Sequence, residues 1–411
     1  MTERLPLTAI LALGVTQIIG YGTLYYSFGI LAPDMASSLS WPTEWVFAAF
    51  SVALLVGGLT APWLGKWFDR IGAGRIMMLG SAVASVALVA CAFAPGGVGF
   101  VLALVLIETA ANLVQYGAAF ALLVQIGPQV AQRSITYLTL IAGFASTIFW
   151  PITSALHAHL TWQQVYLGFA VLNLLVCLPL HTWLSFRGTR KRAASASAAA
   201  TPVPGRLHPD LRRLGFGLMV VGFCLQSLVS AAVLVHMVPL LAGLGLGASA
   251  ALVGTLFGPS QVLSRLANMF FGRNLAPLHL AVISAVLIPG GAAILAATAP
   301  SIAGATAFAV IFGMGNGLFS IVAGTLPLTL FGSEGYGSLQ GKLMAARLIV
   351  SAVAPFALAL SMERIGITSS LTVIVLLGVA GCGAFLAIAA VVRRHDLASG
   401  RIAGSTPAGH V

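Results

Sequence analysis

Three ionisable residues stand deep inside long apolar runs. Glu108 occupies the middle of one run, in Leu106-Ile107-Glu108-Thr109-Ala110. Arg347 lies about ten residues, or roughly 15 Å, inside another, and Arg265 about seven residues, or roughly 10 Å, inside a third. A charge held at such depth costs at least about 2.5–3.5 kcal/mol on insertion scales, so each residue calls for a reason. A guanidinium is a planar fork of donors that fits a carboxylate. A carboxyl group that is ionised facing one side and neutral facing the other carries a proton across. Two cations and one titratable acid therefore describe the binding of an anion by Arg347 and Arg265, with Glu108 as the proton carrier. Plainer roles exist. Arg265 has a stem long enough to lead its charge to the surface, and Glu108 and Arg347 could close on each other as a buried lock. Lys342 lies nearer the end of its run and reads as interfacial.

Polar and aromatic residues accompany these charges. Gln17, Tyr21 and Tyr25 recur every four residues, which places them on one face of a helix, with Tyr26 beside them. Glu108, Asn112 and Tyr116 form a second such stripe. A polar stripe on a membrane helix faces protein or water. Interhelical hydrogen bonding is the competing account, at about 0.6 kcal/mol per bond. Gln261 stands one turn before Arg265, and Asn316 is the counterpart of Asn112 in the second half of the chain. We take Gln17, Tyr21, Tyr25, Asn112, Tyr116, Gln261 and Asn316 as expected cavity-lining residues.

Long helices in an apolar solvent are needed to hold these side chains. Of the 411 residues, 59% are hydrophobic and only 7% are charged, too few charges to cover a water-soluble protein of this length. Mean hydropathy is +1.01. Soluble enzymes, disordered chains and secreted disulfide scaffolds are thereby excluded. The four cysteines, Cys91, Cys177, Cys224 and Cys382, all lie in apolar runs and read as packing residues. A span needs about 20 apolar residues. Breakers and charges divide the chain into twelve runs: 6–32, 44–64, 76–94, 99–125, 134–157, 164–186, 214–240, 248–271, 278–299, 303–330, 338–361 and 366–391. The break signals include Pro33 to Pro42, Pro95-Gly96-Gly97, Gly127-Pro128 and Gly332 to Gly337. The first run is too long for the apolar part of a signal peptide, and we expect it to remain as a helix.

The net charge of +11 is distributed as membrane topology demands, and no nucleic acid is expected as a partner. Of the 20 Lys and Arg residues, sixteen fall on the side of the N-terminus and one, Arg364, on the other. Both termini are therefore expected in the cytoplasm. The basic, Ala/Ser-rich stretch after Phe186 reads as a flexible linker. The expected organisation is a six-helix bundle over 1–187, a cytoplasmic linker over 188–213, a second six-helix bundle over 214–394 and a tail over 395–411. An offset of 204 residues pairs Ile107 with Ile311, Asn112 with Asn316 and Pro151 with Pro355, as two parallel repeats would.

The loop after the second run reads Gly65-Lys66-Trp67-Phe68-Asp69-Arg70-Ile71-Gly72-Ala73-Gly74-Arg75. It resembles the signature loop of the major facilitator superfamily, G-x-x-x-D-R-x-G-x-x-R, and it falls between spans two and three on the expected inner side. The resemblance covers about residues 5–394. It implies an all-α membrane protein of twelve transmembrane helices in two six-helix bundles, rocking about a central cavity. Gly65, Asp69, Arg70, Gly72 and Arg75 are the matching residues. Gly65 and Gly72 would let the backbone turn, and Asp69 would latch the inner gate by accepting hydrogen bonds from a helix N-terminus or by pairing with a cation. Arg265 in span eight and Arg347 in span eleven resemble the substrate-binding cations of the monocarboxylate and oxalate/formate branch.

The expected function is secondary active transport of a small organic anion, a carboxylate, with or without protons. The alternative is a proton-coupled exporter of drugs or other lipophilic compounds. Walker A, G-x-S-x-G and H-E-x-x-H motifs are absent from the sequence, so no enzyme activity, catalytic residue or cofactor is expected. His157 and His159 diverge on a helix and lack a third ligand, so no metal site is expected either. The expected partners are a small-molecule substrate and the lipid bilayer. The expected location is a bacterial inner membrane, and fold analogy suggests a monomer.

Overall fold

The computed structural model describes residues 5–186, 202–247, 249–272 and 275–398. The basic start of the expected linker, Arg273 and most of the expected tail lie outside the described residues. The first half contains α1 (Leu7–Leu39), α2 (Thr43–Trp67), α3 (Ala73–Ala92), α4 (Gly96–Ile126), α5 (Pro128–His157) and α6 (Trp162–Phe186). The second contains α7 (Pro209–Val235, prolonged by Met237–Leu246), α8 (Ser249–Thr255 with Phe257–Phe271), α9 (Pro277–Thr298), α10 (Ile302–Phe331), α11 (Tyr336–Ile365) and α12 (Ile367–Ala398). Among the described residues, ten stretches are long and apolar enough to cross a membrane. One of them, Thr43–Ala92, has 50 residues and folds back on itself as α2 and α3. The two pieces of α8 supply the twelfth crossing.

Several helices are interrupted in ways that the apolar periodicity does not carry. Pro33 was expected to end the first span, yet α1 continues to Leu39 and stops where Ser40 turns left-handed, φ 53°. Pro33 removes one amide from the helical ladder, and the remaining turns still bond. A π-turn at Gly22–Tyr26 adds a residue to α1. Gln115 is extended, ψ −166°, and divides α4 into Gly96–Val114 and Tyr116–Ile126. In α5 the pieces Ala131–Ala142 and Ala145–His157 meet at Gly143 and Phe144.

Buried apolar residues form two clusters, one almost wholly from α1–α6 and one from α7–α12 with Leu207. The halves meet chiefly through α2 with α11, the first piece of α5 with α8 and α10, and the second piece of α4 with α11. Lipid tails are as apolar as leucine, so this seam depends on close packing rather than on hydrophobic burial. Small residues supply it: Gly58, Ala61 and Gly65 of α2 face Gly337, Gly341 and Ala345 of α11.

The described part of the expected linker is tied down. Arg206 N and Leu207 N donate to Thr329 O and Leu330 O, both at 3.0 Å, and Ser333 N donates to Val203 O at 3.0 Å. Residues 203–207 thus run along the end of α10. This end of the molecule, which also carries the turn between α2 and α3, is called the linker end below.

Candidate functional site

Asp69 sits in the turn Phe68–Gly72 between α2 and α3. The turn is pinned by Gln125 of α4, whose Nε2 donates to Phe68 O at 2.8 Å and whose Oε1 accepts from Ala73 N at 3.0 Å. Gly72 has φ 103°, a backbone conformation that side chains strain to adopt. So held, Asp69 reaches the other half of the molecule. Its Oδ1 accepts from Gly337 N at 2.9 Å, and its Oδ2 accepts from Ser338 N at 2.7 Å and Ser338 Oγ at 2.6 Å. Gly337 and Ser338 open α11, which has no side-chain cap of its own. Asp69 is therefore the N-cap of a helix 268 residues away in sequence, placing an anion at the positive end of the helix dipole.

Gly65 serves differently from the turn residue expected of it. It lies inside α2, where an added Cβ would meet Gly341 Cα at 2.9 Å and would crowd Gly337 O more closely still. Its missing side chain lets α11 approach. Arg70 and Arg75 are exposed.

Between the halves lies a small cavity of about 40 Å³, lined by Tyr21 and Tyr26 of α1, Tyr116 of α4, Ala142, Gly143 and Ser146 of α5, and Gly258, Gln261 and Arg265 of α8. Of the residues singled out from sequence, the cavity gathers Tyr21, Tyr116, Gln261 and Arg265. Arg265 is 5% exposed and does not reach the surface. Its Nε donates to Gly317 O at 3.3 Å and Ser320 Oγ at 3.2 Å, and its Nη2 donates to Gln261 Oε1 at 3.2 Å. Its Nη1 rests against Gly143, at the break in α5, where a Cβ would collide with it.

Arg347 is half-buried in the second half of the molecule. Its Nε donates to Ser227 Oγ at 3.0 Å, and its Cζ lies 5.6 Å from the centroid of Phe223 and 5.2 Å from that of Phe319. The rings hold the guanidinium by cation–π attraction. Tyr21 lies within electrostatic reach of Arg347, and Tyr26 and Tyr116 within reach of Arg265. Among the described residues no carboxylate pairs with Arg265 or Arg347, and no cation pairs with Glu108. The buried lock between Glu108 and Arg347 does not form.

The two expected polar stripes do not survive as stripes. The π-turn rotates α1, so that Gln17 is 1% exposed and donates through Nε2 to Val114 O at 2.7 Å, whereas Tyr25 is 43% exposed and packs on Tyr26 and Phe50. Tyr26, five residues after Tyr21, takes the cavity position. The break at Gln115 separates Tyr116 from Glu108 and Asn112. Those two lie against Gly57 of α2, where an added Cβ would stand 3.5 Å from Glu108 Cβ and 2.9 Å from Asn112 Nδ2. Glu108 Oε1 and Asn112 Nδ2 are buried without a hydrogen-bond partner. Asn316 donates through Nδ2 to Phe312 O at 2.9 Å, within its own helix. Sequence reasoning missed Tyr26 as a cavity residue, and also Ser146, Ser227, Ser320 and Ser338. Only the Tyr25-Tyr26 doublet carried a signal; the serines are indistinguishable from those that bond their own helix.

The sequence profile of the Major Facilitator Superfamily matches residues 13–355. Among curated proteins none matches the chain. Of solved structures, the human organic anion transporter TETRAN superposes with a TM-score of 0.72 at 12% identity, covering 94% of this chain and 100% of that one. The proton:xylose symporter XylE, bound to 6-bromo-6-deoxy-D-glucose, gives 0.68 at 13% identity, covering 91% and 94%. The transporter FucP, in the outward conformation, gives 0.68 at 12% identity, covering 92% and 98%. At these identities the likeness is one of fold. The profile match spans most of the chain, and the chain belongs to the major facilitator superfamily: it is a multi-pass integral membrane protein and a secondary transporter, not an enzyme.

Proposed function

We propose that the protein carries a small organic anion, a carboxylate, across the membrane by alternating access, with Glu108 coupling the movement to protons. One observation carries the reading. Arg265 and Arg347 flank one tyrosine-lined region, and neither has a carboxylate partner among the described residues. An uncompensated buried cation is costly, and a carboxylate substrate supplies the missing counterion. Arg347 offers two terminal nitrogens for it, since Nε alone is engaged with Ser227. Arg265 adds a second cation at the cavity wall. This charge pattern accords with the monocarboxylate and oxalate/formate branch. The Lys and Arg bias assigns the linker end to the cytoplasm. Asp69, with Gly65, Gly72, Arg70 and Arg75 around it, is the inner latch.

The exporter reading draws on the aromatic wall of the same cavity, where Tyr26 meets Trp150 edge-on at 5.9 Å. No carboxylate lines that cavity to receive a lipophilic cation. A thermal-shift screen of the purified protein separates the two, because ligands of the folded state raise its stability. Carboxylates are expected to stabilise it, and Arg347→Ala to remove both that shift and uptake while the protein stays folded. Arg347→Lys should rescue poorly, since an ammonium lacks the fork. Stabilisation by lipophilic cations alone, or normal uptake by folded Arg347→Ala, overturns the anion reading.

A further inference from the structure

Resting on the reading of Asp69 as the inner latch, we infer that the strap formed by residues 203–207 is a working part of that gate: it caps the end of α10 and fixes the turn that offers α11 to Asp69. A helix leaves its last carbonyls without helical partners. In α10 these run from Leu328 to Phe331. Gly332 N donates to Leu328 O at 2.9 Å, and the strap supplies the next two donors, Arg206 N to Thr329 O and Leu207 N to Leu330 O. Its bonds continue onto the turn. Val203 N donates to Ser333 Oγ at 3.0 Å, Ser333 N donates back to Val203 O, and Pro204 and Gly332 form an antiparallel bridge. Two glycines allow this approach. A Cβ on Gly205 would stand 2.5 Å from Leu330 O, and one on Gly332, where φ is 87°, would stand 2.5 Å from Val203 O. Leu207, 3% exposed, anchors the strap in the apolar cluster of the second half.

What the strap fixes is the surface on which the first half closes. Ser333 stands between two contacts that join the halves. Thr329, four residues before it, accepts from Gln132, and Gly337 and Ser338, four and five residues after it, donate to Asp69. The α11 side of the turn is held separately. Gln340 Nε2 donates to Ala323 O at 2.8 Å and to the Tyr336 hydroxyl at 2.6 Å, and that hydroxyl donates to Gly324 O at 2.7 Å. Those bonds tie α11 to the body of α10, whereas the strap holds the last turn of α10 and the residues that follow it. With the strap displaced, Thr329 O and Leu330 O lose their donors and the helix end frays. Asp69 then has to order the turn as well as bind it, and the latch weakens by that ordering cost. Residues 203–207 are positioning residues for the latch, and the chain that joins the halves enters the second half beside the gate.

The rate of thiol cross-linking between Gln132→Cys and Thr329→Cys in the purified full-length protein reports how often the linker end is closed. Gly205→Val, whose side chain has no room against Leu330 O, is expected to lower that rate by roughly tenfold, the scale of one or two lost hydrogen bonds. Asp69→Asn should lower it as well. The two together should lower it little further than Asp69→Asn alone, because the strap acts through the cap. Ser333→Ala removes one bond between strap and turn and gives a smaller version of the same comparison should Gly205→Val fail to fold, while Ser333→Thr keeps the hydroxyl and should keep the wild-type rate. An unchanged rate in folded Gly205→Val and Ser333→Ala, or effects that multiply with that of Asp69→Asn, overturns the role of the strap and leaves the latch standing. An unchanged rate in Asp69→Asn overturns the latch and, with it, the part of the strap.

Discussion

Glu108 poses the sharpest question at the scale of single residues. It is 6% exposed, and its Oε1 has no donor. A buried acceptor left unpaired costs about 1–3 kcal/mol, so a carboxyl group fixed there for structure alone would be a poor arrangement. Its place against Gly57, on the α2 side of α4, also separates it from the cavity lined by Arg265. On the proposed reading proton and substrate occupy different sites, and α2 is the element that both packs on Glu108 and forms the seam with α11. Glu108→Gln keeps the shape and fixes neutrality. It is expected to eliminate accumulation driven by a pH difference while preserving exchange between compartments at equal pH. Proteoliposome uptake under an imposed pH gradient checks this, and undiminished accumulation would show that the coupling lies elsewhere.

At the scale of elements, the seam between α2 and α11 joins two devices. One is electrostatic: Asp69 caps α11 from the other half with three hydrogen bonds. A charged cap of this kind is worth up to about 2 kcal/mol. Asp69→Asn should therefore shift the resting population toward opening at the linker end by up to about tenfold and slow transport, with substrate affinity in the open state retained. The reactivity of a cysteine placed in the α10–α11 turn reports the shift, and unchanged reactivity with unchanged transport would refute the latch. The other device is steric. Gly65 and Gly341 pack backbone to backbone, and overpacking costs about 1–3 kcal/mol. Gly65→Leu should hold the seam apart and reduce turnover on the order of tenfold or more, while each half keeps its own apolar cluster and the protein stays folded. Thermal unfolding measured beside transport distinguishes a blocked gate from a lost fold.

For the molecule as a whole, the contacts between halves gather at the linker end. Besides Asp69, Gln132 Nε2 of α5 donates to Thr329 Oγ1 of α10 at 2.7 Å, and residues 203–207 bind the same end of α10. On the proposed alternating-access reading, rocking of the halves breaks the Gln132–Thr329 contact while the 203–207 strap, being joined to α7 and α10 of one half, travels with it. A short thiol cross-linker between Gln132→Cys and Thr329→Cys is expected to stop transport and to leave substrate binding from the opposite side intact, with activity restored on cleaving the linker. Full transport by the cross-linked protein would exclude opening at this end. The native cysteines at 91, 177 and 382 are buried and should not compete.

What the sequence determined by itself was the solvent, the number of crossings, the loop that carries Asp69 and the depth of the three charges. Those follow from composition, run length and local motifs, which a chain carries whatever its neighbours do. Which polar residues meet was decided only by the tertiary structure. A helical period of 3.6 predicts one face for Gln17, Tyr21 and Tyr25, but a π-turn in α1 exchanged Tyr25 for Tyr26 at the cavity. The same period joins Glu108 to Tyr116, but the extended Gln115 parted them. Breaks of this kind persist because neighbouring helices satisfy the freed backbone groups, as Gln17 does for Val114 O. Asp69 was legible as a helix-capping anion, whereas its partner, the start of α11, lay 268 residues away and became visible only when the two halves came together.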